Sequence, residues 1–156
     1  MLNFVFHEPK IPGNTGNAIR LAACTGARLH LIEPLAFTFD DAHLKRAGLD
    51  YHDLADLVIH KSWEDAKAYF GPDRRIFAFT GHTSNNFADE SYRDDDVLLF
   101  GTEPTGLPEL VLDDPRVTKW LRIPMLPGRR SLNLANAASI AVYEAWRQLG
   151  FTSASM

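Results

Sequence analysis

Val97-Leu98-Leu99-Phe100 is an uninterrupted apolar run, and it narrows the folds open to this chain more than any other segment. A strand with one wet face alternates apolar and polar residues. A continuous run instead has both faces covered, as in a parallel sheet with helices on either side. The run leads straight into Gly101-Thr102-Glu103-Pro104-Thr105-Gly106-Leu107-Pro108, a segment rich in residues with special backbone demands. Open parallel sheets bind ligands beyond the carboxyl ends of their strands, so this loop is a candidate site.

The rest of the chain fits such a sheet. Leu2 to Phe6 reads as a first strand, ended by the Glu8-Pro9 and Ile11-Pro12 steps, which push the backbone out of helix. Asn14 or Thr15 then caps a helix through Ile19, Ala22 and Ala23, Gly26 stops it, and Arg28 to Ile32 forms the next strand, completing a βαβ unit. A short helix is predicted from Asp40-Asp41 to Leu44, and Leu49 to Leu57 is loop or a further helical turn. Val58-Ile59 is a short strand, Ser62 and Asp65 have capping-box spacing for a helix to about Phe70, and Ile76 to Thr80 is a strand. Gly81 to Ser91 reads as polar loop, Trp120 to Ile123 as the last strand, and Asn133 to Leu149 as the longest helix. The expected fold is α/β: a mostly parallel sheet flanked by helices, as one domain over residues 1–150, with a frayed tail at 151–156.

Bulk properties exclude several classes. At 156 residues with 46% hydrophobic content, one folded domain is expected. No apolar run approaches the 18 residues that cross a bilayer, and no leader pattern opens the chain, so a cytoplasmic protein without a membrane partner is expected. The formal net charge of −4 advertises no global nucleic-acid field. Cys24 is the single cysteine and reads as core or interface packing. The histidines at 7, 30, 43, 52, 60 and 82 lack zinc-ligand spacing, so no metal is expected. Gly101 to Gly106 has Walker A spacing, but Leu107-Pro108 stands where a Lys and a hydroxyl are needed. No Gly-x-Gly-x-x-Gly follows the first strand, and no Gly-x-Ser-x-Gly elbow is present.

Three features remain that carry chemistry. Asn17, Arg20 and Cys24 share one side of the first helix, and Arg20 lies where a cation gains nothing from the helix dipole; it is either a grip for a phosphate or hydroxyl, or a solvated arginine. Arg129-Arg130 precede Ser131 and Asn133, either of which caps the last helix, with Asn136 following. Two fixed positive charges beside a hydrogen-bonding pocket suit a polyanionic substrate. The small apolar residues around the last helix permit packing against both the home sheet and a second subunit.

Taken in order, Asn14-Thr15-Gly16-Asn17 with Arg20, Phe100-Gly101-Thr102-Glu103 with Gly106-Leu107-Pro108, and Ile123-Pro124-Met125 with Arg130-Ser131-Leu132-Asn133-Leu134-Ala135-Asn136 resemble the three motifs of the SPOUT RNA methyltransferases. Within that superfamily the chain is most similar to the enzymes that methylate the wobble ribose of tRNA. Glu8-Pro9, Arg46 to His52 and Tyr143 to Gly150 are similar to the same group. The resemblance implies a C-terminal deep trefoil knot, which ordinary connection rules would exclude.

It also implies S-adenosylmethionine as cofactor, with S-adenosylhomocysteine as product, held by Phe79, Thr80, Gly101, Glu103, Gly106, Ile123, Met125, Ser131 and Leu132. Arg20 and Asn133 are the implied catalytic pair, and Asn14, Arg129, Arg130 and Tyr143 the implied substrate contacts, with Lys10, Arg28, Lys45 and Arg46 as possible additions to the phosphate patch. For Glu103, bracing its loop, touching substrate and favouring the sulfonium all stay open. The implied partners are a tRNA anticodon arm and a second copy of the chain, with no DNA. The implied reaction is methyl transfer to the 2′-hydroxyl of nucleotide 34 of leucine tRNAs. Another tRNA or rRNA position is the alternative; a silent RNA-binding dimer fits poorly with the presence of Arg20, Asn133 and the glycine framework.

Overall fold

The computed structural model describes residues 1–38 and 56–156. In chain order the elements are β1 (Asn3–His7), α1 (Pro12–Thr25), β2 (Arg28–Ile32), β3 (Val58–His60), α2 (Trp63–Phe70), β4 (Ile76–Phe79), β5 (Val97–Phe100), α3 (Glu109–Leu112), β6 (Lys119–Leu121) and α4 (Leu134–Gln148). The strands form one six-stranded sheet in the order β3-β2-β1-β5-β4-β6, and every pairing is parallel. The predicted helix from Asp40 to Leu44, the Arg46 to His52 segment and Lys45 lie outside the described residues.

Both faces of the sheet are covered, as the apolar run in β5 requires. Phe4, Phe6, Leu29, Leu31, Phe77, Leu98 and Phe100 pack with Ala18, Ile19, Ala138, Ala141, Val142 and Ala145 of α1 and α4. Their neighbours in the strands, Val5, Ile32, Ile76, Ala78, Val97 and Leu99, pack with Ala66 and Phe70 of α2 and Val111 and Leu112 of α3. Alternate residues point to opposite faces of a strand, so the β5 run divides evenly between two cores.

Some local expectations hold and others change. The α1 helix starts at Pro12 without a side-chain cap from its own sequence; a proline there forfeits only an N–H that has no partner in the helix. Asn14, the expected cap, sits inside the first turn and spends its side chain on other loops. Cys24 is exposed rather than in the core. The loop after β4 is not wholly polar, because a 3-10 turn at Phe87–Asp89, capped by Asn86, buries Phe87. The last strand is Lys119–Leu121, with Arg122 forming only a lone bridge to Asn86. Ser62 caps α2 by accepting from Asp65 N–H, and Asn133, not Ser131, caps α4. In the tail, Phe151 packs its ring on Trp146 and Trp146 Nε1 donates to the Thr152 carbonyl at 3.2 Å.

At the β2 to β3 edge a polar chain runs through the core. Asn3 donates through its amide nitrogen to the Met1 and Asp95 carbonyls, so its Oδ1 is the acceptor facing His30 Nε2 at 3.0 Å. His30 therefore carries its proton on Nε2, and His60 Nε2–H donates to His30 Nδ1 across 3.0 Å. Burial, then the neighbouring His60, Arg28 and Arg74, push His30 down to about 3. The folded value lies below the ordinary 6.5, so the unfolded chain binds the extra proton. The stability of the neutral ring is complete above pH 6.5 and is lost as pH falls from there toward about 3. Urea unfolding should show stability decreasing below pH 6.5 by up to about 1.4 kcal/mol per pH unit for this one proton. In His30→Gln the profile should become less steep above about pH 5, with His7 and His60, also held below the ordinary histidine range by burial, keeping part of the slope.

Candidate active site

The loops after β1, β5, β4 and β6 all leave the same end of the sheet, and the strand order reverses between β1 and β5. Crevices of parallel sheets open at such a point. The loop after β5 doubles back sharply, with Gly106 N–H donating to the Thr102 carbonyl at 2.7 Å. A Cβ on Gly101 would stand 2.6 Å from Gly106 Cα and closer still to the Gly106 carbonyl carbon and the Leu107 nitrogen. Those atoms are main chain and cannot yield, so only glycine fits. Thr102 Oγ1 donates to the His7 carbonyl at 2.7 Å, tying this loop to the end of β1.

One hydrogen-bonded relay joins three loops. Glu103 Oε1 accepts from Lys10 N–H at 3.0 Å, and its Oε2 accepts from Ile11 N–H at 3.2 Å. Glu103 Oε2 also accepts from Asn14 Nδ2 at 2.9 Å. Asn14 Oδ1 in turn accepts from Asn133 Nδ2 at 2.9 Å. Asn133 Oδ1 ends the series by accepting from Ala135 and Asn136 N–H at 2.9 and 3.2 Å, at the start of α4.

The ends dictate the middle. An ionised carboxylate only accepts and helix-start N–H groups only donate, so both amide orientations are set. Glu103 also brings to the start of α1 the negative charge absent from that helix's own first turn. Burial pushes its carboxyl up, but the Asn14 amide and the Lys10 and Ile11 N–H groups outweigh this and hold it below the usual glutamate range.

The other residues singled out in the sequence lie on β4, on the loops after β4, β5 and β6, and on α1 and α4. Phe79 is half-buried and stacks on Phe100 with ring centres 4.7 Å apart. Thr80 N–H donates to the Leu121 carbonyl at 3.0 Å, and its hydroxyl accepts from His82 N–H at 3.2 Å. Ile123 and Met125 are half-buried on the segment that returns from β6 toward α4, while Arg129, Arg130, Ser131 and Leu132 are exposed on it. Arg20 is exposed on α1, and Gly106 is exposed in its loop. Tyr143 is exposed on α4 with its ring against Trp146, centres 5.6 Å apart.

Direct bonds thus bring together Asn14, Glu103 and Asn133; Arg129, Arg130 and Tyr143 make no hydrogen bond to these three. Sequence reasoning missed the joint itself. Asn14 is 4% exposed, and its amide is used inside the chain. The available signal was a polar pair, Asn14 and Glu103, in two special loops with no local partner for either. Among the described residues no cluster of three or more His, Cys, Asp or Glu is arranged to hold a metal ion.

An all-parallel sheet whose loops are tied together at its carboxyl end defines a candidate ligand site, and the family model supplies the class. Residues 1–143 match the SpoU rRNA methylase family, and the chain belongs to it. A tRNA (cytidine(34)-2′-O)-methyltransferase of Burkholderia pseudomallei (strain 1106a) is 51% identical over 152 residues, covering 97% of each chain. A solved structure described as giving insights into 2′-OH methylation of C/U34 on tRNA has a TM-score of 0.88 at 45% identity, covering 96% of this chain and 97% of that one. The SpoU methyltransferase AviRb of Streptomyces viridochromogenes, solved with the cofactor AdoMet, has a TM-score of 0.79 at 28% identity, covering 96% of this chain and 60% of that one.

The relay makes a direct prediction. Asn14→Asp sets a second carboxylate against Glu103 and should cost about 2–3 kcal/mol in urea unfolding. Adding Glu103→Gln restores a donor between the two positions and should recover part of the loss. Additive losses in the double variant would show that the two side chains are not coupled.

Proposed function

We propose that this chain is an S-adenosylmethionine-dependent tRNA methyltransferase acting on the ribose 2′-hydroxyl of nucleotide 34, with leucine tRNAs as substrates. The observation that carries this reading is the Glu103-Asn14-Asn133 relay, which holds all three motif loops at one end of a parallel sheet. Two of the relatives named above, described by the 2′-O-methylation of tRNA position 34, support the reaction and the address. Methyl transfer to a hydroxyl demands alignment, exclusion of water and removal of one proton.

The site suits the cofactor. Phe79, Ile123 and Met125 offer half-buried apolar surface at the strand ends, as an adenine ring requires. Main-chain groups around Thr80, Gly101, Gly106, Ser131 and Leu132 are assigned to its polar edges, and Glu103 to its positive end. When bound, S-adenosylmethionine supplies a methyl group on a positively charged sulfur. Arg20 holds the ribose or its phosphate and stabilises the oxyanion as the 2′-hydroxyl loses its proton, a task suited to a group that stays charged. Asn133, fixed by the relay, orients the reacting ribose, and Asn14 holds Asn133 in place. Arg129 and Arg130 bind phosphates of the anticodon arm, with Tyr143 beside them.

The segment from Arg122 to Asn133 leaves the outer strand β6 and returns to the centre of the sheet, where Asn133 meets Asn14. We read this path as the threading of a trefoil knot. The exposed Ile140 and Tyr143 of α4 are read as part of a homodimer contact. No helix among the described residues is long and apolar enough to cross a membrane.

Incubation of the full chain with S-adenosylmethionine and unmodified leucine tRNA transcripts, followed by mapping of 2′-O-methyl groups, should place the mark at nucleotide 34. A mark elsewhere would overturn the address, and no transfer by a chain that binds both substrates would overturn the activity. Arg20→Ala should lower kcat by about 10²- to 10³-fold while calorimetric binding of S-adenosylmethionine stays within about twofold; normal turnover would remove Arg20 from the chemistry.

A further inference from the structure

Between Asp114 and Glu144 the chain has no acidic residue, yet Arg116, Lys119, Arg122, Arg129 and Arg130 all fall there, in a chain of formal net charge −4. Two of these cations are satisfied within the fold. The Arg116 guanidinium donates to the Gly71 carbonyl, its Nε at 2.9 Å, and Lys119 Nζ pairs with Glu90 at 3.2 Å.

Arg122 is held differently. Its N–H donates to the Asn85 carbonyl at 2.8 Å and its carbonyl accepts from Phe87 N–H at 3.0 Å, so its main chain is clamped to the loop after β4. Its side chain is exposed, and Nη1 donates to the Gly81 carbonyl at 3.3 Å. Thr80 to Ala88 contains no acidic residue, so the loop that anchors this guanidinium does not neutralise it. A guanidinium has five N–H donors, and the carbonyl takes one.

The position adds direction. Arg122 continues β6, the outermost strand of the sheet, so among the described residues no further strand covers it. It immediately precedes Ile123, and the same segment runs on to Arg129 and Arg130. Three exposed arginines therefore rim this end of the sheet, and Glu103, the carboxylate of the neighbouring loop, is occupied by the relay. A rim of fixed guanidinium groups among neutral hydroxyl and amide side chains suits an extended polyanion better than a single carboxylate.

We propose that Arg122 is a phosphate-binding residue for the tRNA substrate, gripping a backbone phosphate away from the methylated ribose so that the RNA follows the β6 edge between Arg122 and the Arg129-Arg130 segment. The proposal rests on the tRNA reading above. Arg122 acts on binding and register, and the methyl-transfer step itself does not pass through it.

The test compares wild type, Arg122→Gln and Arg122→Lys by tRNA binding across a salt series, steady-state methyl transfer, calorimetry with S-adenosylmethionine and thermal melting. R122Q should weaken tRNA binding about five- to tenfold at low salt and reduce the slope of log affinity against log salt by about 0.7–0.9. Its KM for tRNA should rise with kcat within about twofold, and R122K should restore most of the slope. Unchanged affinity and slope in R122Q would overturn the proposal. So would a joint loss of tRNA affinity, cofactor binding and melting temperature, which would make Arg122 a brace for the Gly81 loop. Affinity and slope are read on binding alone, so a wild-type chain that failed to methylate nucleotide 34 would sink the functional reading while this comparison still decided the role of Arg122.

Discussion

The carboxylate of Glu103 can only accept hydrogen bonds, and the N–H groups at the start of α4 can only donate them. Two asparagine amides stand between these ends, and each has one orientation that serves both neighbours. The consequence reaches beyond four side chains. The β5 loop is fixed against the start of α1, α1 is fixed against the start of α4, and the returning segment from β6 has its end point defined. The carboxylate charge is distributed over one side-chain amide and two main-chain N–H groups, which stabilise it.

The sheet supplies the rigidity this relay needs. Parallel strands buried on both faces place consecutive loops at one end, and the reversal of strand order between β1 and β5 puts the Glu103 loop beside the start of α1. Gly101 then sharpens the turn to a degree that no side chain would allow. Loop chemistry on a packed scaffold of this kind is positioned to a fraction of an ångström by residues that never touch the substrate.

Most of the scaffold could be read directly from the chain, because β5 is continuously apolar, Gly26 ends α1 and Ser62 begins α2, each a local signal with a local cause. The parts that could not be read depend on distant residues. Asn14 has the composition of a helix cap, but Glu103 and Asn133 claim its amide from far along the chain. Phe87 lies in a polar stretch and is buried because its ring packs into the core against Phe79, with ring centres 6.4 Å apart. Cys24, read as core or interface packing, is exposed on α1 and so lies outside the core. His30 and His60 lack ligand spacing in sequence and meet only because β2 and β3 pair in register. Of the site, the motif residues were visible as types and positions through resemblance, whereas the bonds among Asn14, Glu103 and Asn133 required the fold.

The relay's members lie 89 and 119 residues apart along the chain. Contacts of such separation carry a large loop-closure entropy and close only after the intervening elements have docked. The last residue to arrive, Asn133, begins the final helix, so a chain still lacking its carboxyl-terminal part has a nearly complete sheet and no assembled site. During synthesis the relay therefore cannot close until the start of α4 is available, and its assembly reports that the chain through that helix has docked.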